Sequence, residues 1–394
     1  MKKLILNKGK EASLRRGHPW IYSGAVFSPL EDFRDGELVR VFSAQKEFLA
    51  IAYIQEGQRI VAKVLSFEDR LPDQEFWNRH ITQAFAARQS LGIFSPENNI
   101  FRLVNGEGDY LPGLIIDYYH GTLVVQYHHP FYLEMELFLV TALQSCKDMP
   151  VNNIYRKSQA TLWRKSKIES DDQWLILDGE LKEIIAWENG IRYRIIPETA
   201  QKTGFFIDQR ESRRLVRNYA KDKTVLNTFS YTGGFSLSAL AGGASKVVSV
   251  DSSARAMQEL EENLLLNTLG GSTHESVISD IFDFINKDRR LVDIVILDPP
   301  AFAKNKGALQ NALKSYKRLN IAGINKVEKG GLLFSFSCSQ VVDIKLFEGV
   351  ITASVIETGR NCKVLHRLEA GPDHPCLLIH PEGKYLKGLV LQLD

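Results

Sequence analysis

The stretch VLNTFSYTGGFSLSALAGGASKVVSVD, residues 225–251, decides how this chain folds. An apolar strand, VLNTFS, runs into a turn holding Thr232, Gly233 and Gly234. The helical pattern FSLSALA follows, and then a second apolar strand, VVSVD. Strand, glycine turn, helix and strand in that order form one unit of a parallel, doubly wound sheet. Glycine has no Cβ, so its backbone can approach a ligand closely. Asp251 ends the second strand, 18 residues after Gly233, where a carboxylate can accept both hydroxyls of a ribose. The strict G-x-G-x-x-G is absent, which disfavours NAD. A purely structural βαβ turn with a surface Asp would read the same way.

Moving outward, the alternation continues through AMQELEENLLLN, IVILDPP and GLLFSFSCS, which implies a doubly wound α/β region starting near Ile191. In IVILDPPAF (294–302) four apolar residues end in Asp298-Pro299-Pro300. Proline lacks an N–H and fixes φ, so the chain must leave the sheet there as a rigid wall. That aims Asp298 and Phe302 into the crevice beyond the strand ends, where open α/β sheets bind ligands. In GGLLFSFSCSQ (330–340) a further strand exits at Cys338, on the same edge as Asp298. An ordinary thiol of pKa about 8.5 is a few per cent thiolate at neutral pH and already a strong nucleophile. Cys146, Cys362 and Cys376 read as small buried hydrophobes.

Upstream, residues 1 to about 68 are short β-like runs (LVRVFS, FLAIAYI, RIVAKVLSF) between charged turns, as in a small β-barrel. Residues 76–91 space apolar side chains as an amphipathic helix does. Strands follow around LIIDYY, TLVVQYHH and WLILDG, with a helix near FYLEMELFLVTALQSC. The 394 residues carry 49 Lys and Arg against 47 Asp and Glu, a net charge of +2, which argues against a highly cationic nucleic-acid coat protein. Four scattered cysteines exclude a disulfide framework or a cysteine-rich zinc module. The N-terminus lacks the apolar run of a signal peptide, and no stretch approaches ~18 apolar residues. The expectation is a cytoplasmic protein with no membrane span and no metal.

These segments occur together with GHPWIYSGAV (17–26), GDYLPGLIIDYY (108–119), KTGFFIDQRESRR (202–214), FSYTGGFS (229–236), LDPPAFAK (297–304), SCS (337–339), and DHP and YLKG near the end. In this order, nearly end to end, the chain resembles the bacterial 23S ribosomal RNA large-subunit methyltransferase I family. These are PUA-domain, S-adenosylmethionine-dependent 5-methylcytosine RNA methyltransferases. The resemblance implies a PUA-like RNA-binding domain over residues 1–70, a central α+β (EEHEE) domain over 71–190, and a Rossmann-like class I methyltransferase domain over 191–394. It also implies S-adenosylmethionine as cofactor and large-subunit ribosomal RNA as partner. It leaves a homodimer open.

Position by position, the resemblance implies that Ser230, Tyr231, Thr232, Gly233 and Gly234 approach the methionine part of the cofactor. Asp251 holds the ribose and Asp280 lies by the adenine. Lys202, Thr203 and Asp208 help close that site. Asn227 stands where many methyltransferases carry an acid, and an amide there can still hydrogen-bond. Asp298 and Pro299 line the target-base pocket, and Cys338 is the nucleophile. These residue types suit cytosine. C5 is a poor nucleophile until a thiolate adds at C6, and Asp298 can hold the N3/N4 edge. The base that removes the C5 proton has no assigned residue.

IYRKSQATLWRKSK (154–167) holds five cations and no acid, with two aromatic residues between them. Arg156, Lys157, Arg164 and Lys165 are expected to track RNA phosphates, against the plainer reading of a solvated strand edge. Arg15 and Arg16 in LRRGHPW are given the same role. His120, His128 and His129 read as exposed strand histidines, not metal ligands. The Gly106/Gly108 pair reads as a turn and Lys202-Thr203-Gly204 as no β-lactamase motif. Two rival functions remain. One is purine methylation on the same fold, which needs no thiol. The other is a non-catalytic RNA-binding assembly factor, against which Asp251, Asp298 and Cys338 argue.

Overall fold

The computed structural model describes residues 1–57, 59–162, 170–180, 183–303 and 305–394. They form two compact units. One is Met1–Ala186, Ile195–Ile207 and Pro372–Gly383. The other is Trp187–Arg194, Asp208–Gly371 and Lys384–Asp394.

The first unit contains two five-stranded sheets. Strands β1 (Lys2–Ile5), β2 (Trp20–Tyr22), β3 (Leu38–Phe42), β4 (Phe48–Ile54) and β5 (Ile60–Ser66) order as β1-β3-β4-β5-β2. The short helix α1 (Ala12–Arg15) lies between the first two. The second sheet orders β10-β9-β8-β7-β6, from β6 (Ile100–Asn105), β7 (Leu114–Tyr119), β8 (Thr122–Tyr127), β9 (Asn153–Arg156) and β10 (Gln173–Ile176).

Helix α2 (Gln74–Ser90) starts at Asp73, whose carboxylate accepts from the Phe76 amide at 3.0 Å, a cap worth ~1 kcal/mol. Its buried residues, Phe76, Trp77, Ile81, Ala84, Phe85 and Arg88, recur at helical spacing. The helix expected over FYLEMELFLVTALQSC is two pieces, α3 (Phe131–Glu134) and α4 (Glu136–Gln144), separated at Met135. Tyr53 of the N-terminal sheet stacks on Phe131 at 4.7 Å, and its hydroxyl donates to the Pro112 carbonyl at 2.7 Å. Tyr53 and Leu65 thereby join the same apolar core as Trp77, Phe101 and Leu139. A two-stranded hairpin follows, β11 (Ile184–Glu188) and β12 (Ile191–Ile195).

The second unit is built on a seven-stranded sheet of β13 (Thr224–Thr228), β14 (Lys246–Asp251), β15 (His274–Ile278), β16 (Val292–Leu297), β17 (Val327–Ser337), β18 (Cys362–Leu368) and β19 (Lys387–Leu393). Its order is β15-β14-β13-β16-β17-β19-β18. Helices α5 (Arg210–Tyr219), α6 (Gly234–Ala241), α7 (Ala254–Leu266), α8 (Ile281–Lys287), α9 (Leu309–Ile324) and α10 (Ile344–Thr358) alternate with the strands. Strands β13 to β17 pair in parallel, as the βαβ pattern predicts. The sheet is not parallel throughout: β19 runs antiparallel to both β17 and β18. Leu226, Val295, Leu297, Leu333 and Leu391 supply its core, with Tyr316 and Phe347 from the helices. Inside this unit Arg213 and Glu188 form a buried bidentate pair, both bonds 2.6 Å. Among the described residues no helix is long and apolar enough to cross a membrane.

Candidate active site

The turn between β13 and α6 departs from ordinary backbone geometry. Phe229 (φ 55°), Tyr231 (φ 48°) and Gly233 (φ 87°) all sit at positive φ within five residues. Non-glycine residues held there cost on the order of 1–3 kcal/mol each, and such strain concentrates at functional sites. Several bonds enforce the turn. The Ser230 amide donates to the Val250 carbonyl at 3.1 Å, and the Asn263 side chain donates to the Thr232 carbonyl at 3.1 Å. The Tyr231 amide donates to Asp251 Oδ2 at 3.0 Å. A Cβ on Gly233 would fall 2.7 Å from Leu260 Cγ and 2.8 Å from Leu237 Cδ1. Glycine is thus required at 233 by φ and by helix packing.

Asp251 stands at the end of β14. One oxygen accepts from the Tyr231 amide and the other from the Ser253 amide at 2.9 Å. Two backbone donors therefore orient the carboxylate, and each oxygen keeps a second lone pair. Asn227 is 1 % exposed. Its Nδ2 donates to Ser236 Oγ at 2.8 Å, whereas its Oδ1 has no partner among the described residues. A buried acceptor without a donor is costly, and an ammonium group would satisfy it. S-adenosylmethionine supplies both complements, a ribose diol for Asp251 and an ammonium for Asn227. The residues present fit it.

The other residues expected at the cofactor are placed as follows. Asp280 is exposed, and its Oδ1 caps α8 by accepting from the Phe282 and Asp283 amides at 2.9 and 3.2 Å. In the second unit, buried Asp208 accepts through Oδ2 from the Tyr385 hydroxyl at 2.7 Å. In the first unit, Lys202 is exposed at φ 49°, its Nζ 4.4 Å from the Phe206 ring centre. Thr203 is 1 % exposed, and its hydroxyl is spent on Asp117 Oδ2 at 2.5 Å with the Tyr119 hydroxyl at 3.0 Å. The LIIDYY strand thus anchors the KTG loop through side chains, and only the Thr203 backbone is left for a ligand.

Strand β16 delivers Asp298, half-buried, and Pro299, buried. Strand β17 delivers Cys338, also half-buried, whose Sγ lies 3.9 Å from the Pro299 carbonyl oxygen. The serines beside it are tethers: Ser337 Oγ donates to the Tyr316 hydroxyl at 2.9 Å, and Ser339 Oγ to the Ala303 carbonyl at 2.6 Å. Phe302 rests on the Tyr316 ring at 4.7 Å and 57°. Burial pushes the Tyr316 phenol up to about 12, and the negative charges of Cys338 and Asp298 act on it in the same direction. Lys387 begins β19 opposite Ser337. Its ammonium donates to the carbonyls of Ser339 and Tyr385 at 2.7 and 2.6 Å. The sequence reading missed Tyr316, Lys387 and the serine tethers. The SCS and YLKG motifs contain the two serines and Lys387, whereas Tyr316 lies in neither.

Two of the expected RNA contacts are corrected. Arg156 is 7 % exposed and grips Glu136 through Nη1 at 2.9 and 2.7 Å. The Lys157 ammonium donates to the carbonyls of Pro197 and Ala200, closing a loop of its own unit. Neither cation is presented to a polyanion, because the charge is used internally. Arg164 and Lys165 lie outside the described residues. Arg15 is exposed but paired with Glu47 through both guanidinium nitrogens, while Arg16 is exposed on the same turn. His129 also differs from expectation: it is buried, 3.1 Å from Asp35.

A strained turn opening α6, an oriented carboxylate ending β14 and a proline-walled strand exit on one seven-stranded sheet define an S-adenosylmethionine-dependent methyltransferase. The family of that description matches residues 101–387, and a PUA-like domain matches residues 4–67. The ribosomal RNA large subunit methyltransferase I of Yersinia pseudotuberculosis serotype O:1b (strain IP 31758) is 36 % identical over 397 residues, covering 99 % of each chain. The chain belongs to the ribosomal RNA large subunit methyltransferase I family. Its fold is shared over 100 % of both chains with a protein from Streptococcus mutans described as a SAM-dependent methyltransferase (TM-score 0.85, 24 % identity). It is shared to the same extent with a methyltransferase solved in complex with SAH (TM-score 0.86, 24 % identity).

Proposed function

We propose that the chain transfers a methyl group to C5 of a cytosine in large-subunit ribosomal RNA, through a covalent bond between Cys338 and C6. The observation that carries this reading is the placement of a half-exposed thiol, tethered on both sides by serines, against the carbonyl of the Asp-Pro-Pro wall.

S-adenosylmethionine supplies the electrophilic methyl group. Asp251 would accept the ribose hydroxyls and Asn227 Oδ1 would accept from the ammonium, with Ser230 to Gly234 as the floor and Asp208 and Asp280 at the rim. Asp298 accepts from the N4 amino group of the base and fixes its plane, while Pro299 and Phe302 wall the pocket. The Cys338 thiolate gives its electron pair to C6. The C5=C6 pair moves toward C5, which becomes an enamine-like nucleophile and takes the methyl group. Loss of the C5 proton restores the double bond and expels the thiolate. Rigid placement supplies much of the rate, because thiol, carboxylate and wall are held at fixed distances before reaction.

RNA recognition in this reading falls to residues 1–70, with residues 71–190 as a central domain and 191–394 as the catalytic one. RNA carrying 5-fluorocytosine at the target tests the mechanism, since fluorine cannot leave C5 as a proton. A trapped complex with the adduct on Cys338 is expected. Full methylation by Cys338→Ala would favour purine chemistry instead.

A further inference from the structure

We infer that Lys387 is a positioning residue for Cys338: its buried ammonium locks the strand exit that carries the thiol and supplies the cation that stabilises the thiolate there.

Lys387 is 9 % exposed. A buried ammonium is costly unless it is paired. Among the described residues no carboxylate lies within ion-pair distance of its Nζ. Its two acceptors are the carbonyls of Ser339 and Tyr385. That leaves one of its three N–H groups uncommitted. Burial pushes the ammonium down to about 8, and the Cys338 and Asp343 charges act on it in the opposite direction. Asp343 is itself engaged, capping α10 by accepting from the Leu346 amide at 2.8 Å. Of the two anions that compensate Lys387, the Cys338 thiolate acts the more strongly.

The surroundings of Cys338 call for such a cation. Asp298 beside it carries negative charge, which opposes forming a second anion nearby. Tyr316 stays neutral. The charges acting on Tyr316 and Lys387 here come from Asp298, Cys338 and Asp343, all anions, and Lys387 brings a positive charge among them. Its bonds also join two parts of the site. One carbonyl it holds is Ser339, next to the thiol. The other belongs to Tyr385, whose hydroxyl holds Asp208. Strand pairing brings Lys387 there, since it lies opposite Ser337 in the β17–β19 ladder.

The inference rests on the catalytic reading of Cys338, but its test does not need turnover. The rate of Cys338 alkylation by iodoacetamide is followed by peptide mass spectrometry across pH 5.5–10, in the full-length protein and in Lys387→Met. In the variant, alkylation at pH 7 should fall roughly tenfold, and the profile should move about one unit to higher pH. Superimposable profiles overturn the inference. If Lys387→Met does not fold, the wild type alone decides. Cys338 should be alkylated at pH 7 faster than a free cysteine peptide of pKa about 8.5. A rate no faster than the peptide's overturns it. Failure of 5-fluorocytosine trapping with the alkylation shift intact would remove the cytosine mechanism and leave the Lys387–Cys338 pairing standing.

Discussion

Cys338 Sγ and the Pro299 carbonyl oxygen lie 3.9 Å apart, although 39 residues separate them in the chain. The contact follows from the parallel pairing of β16 with β17, in which Leu297 lies opposite Ser335. Both strands end on the same edge of the sheet, so the residues that follow them must meet there.

Replacing the thiol tests that meeting point. Cys338→Ala should lower methyl transfer by a factor on the order of 10³ or more, measured with tritiated cofactor on ribosomal RNA. Cofactor affinity and thermal unfolding should be little changed, since the side chain is small and half-exposed. Cys146→Ala, Cys362→Ala and Cys376→Ala should stay active. Wild-type rates in Cys338→Ala would sink the covalent mechanism.

Asp251→Ala should weaken S-adenosylmethionine binding by about 2–4 kcal/mol, read by calorimetry, through loss of two charge-assisted bonds. Because the carboxylate also holds the Tyr231 and Ser253 amides, the variant should lose order in the 229–233 turn. Faster amide hydrogen exchange there would register this. An unchanged dissociation constant would contradict the assignment.

Two arginines separate RNA contact from internal support. Arg16→Ala should weaken RNA binding and reduce the slope of log K against log salt by about one phosphate contact. Arg156→Ala should leave that slope alone and cost about 2 kcal/mol in urea unfolding, because it strands Glu136. The opposite pattern would return the 154–157 segment to an RNA surface. Deleting residues 1–68 cannot serve here, since it would strip Tyr53 and Leu65 from the core they share with Trp77.

Acid should weaken the first unit through Glu107. Burial alone would push this carboxyl up, but the Lys63 charge and the hydrogen bonds from Trp20 and Lys63 outweigh it and hold the group at about 2. A folded pKa below the ordinary 4.5 means that the stabilisation is complete above about 4.5 and is lost as pH falls toward 2. Glu107→Gln should therefore be less stable than wild type at pH 7, by on the order of 3 kcal/mol. The difference should shrink between pH 4.5 and 2. Parallel stability curves over that window would refute the account.

Much of this architecture is legible in local pattern. The β13–α6–β14 unit, the helix after Asp73 and the strand exits at Asp298 and Cys338 all lie where periodicity, glycine and proline put them, because each depends on neighbours a few residues away. The family and the cofactor class are legible for the same reason, as ordered short motifs. Strand direction is different. Nothing local in GLVLQLD says that β19 runs antiparallel to β17 and β18. Side-chain commitments are different again. A basic run reads as a phosphate track until Glu136 and the Pro197 and Ala200 carbonyls are found holding Arg156 and Lys157.

By itself the sequence determined the doubly wound core, the strained glycine turn, the acid ending β14 and the cysteine at a strand exit, since backbone preference and hydrophobic period are properties of contiguous residues. The tertiary structure alone decided which partners those residues have. It set Thr203 on Asp117, Tyr385 on Asp208 and Lys387 on the carbonyl after Cys338. Such pairings are fixed by strand order and register, which bring together groups 86, 177 and 48 residues apart that no local pattern connects.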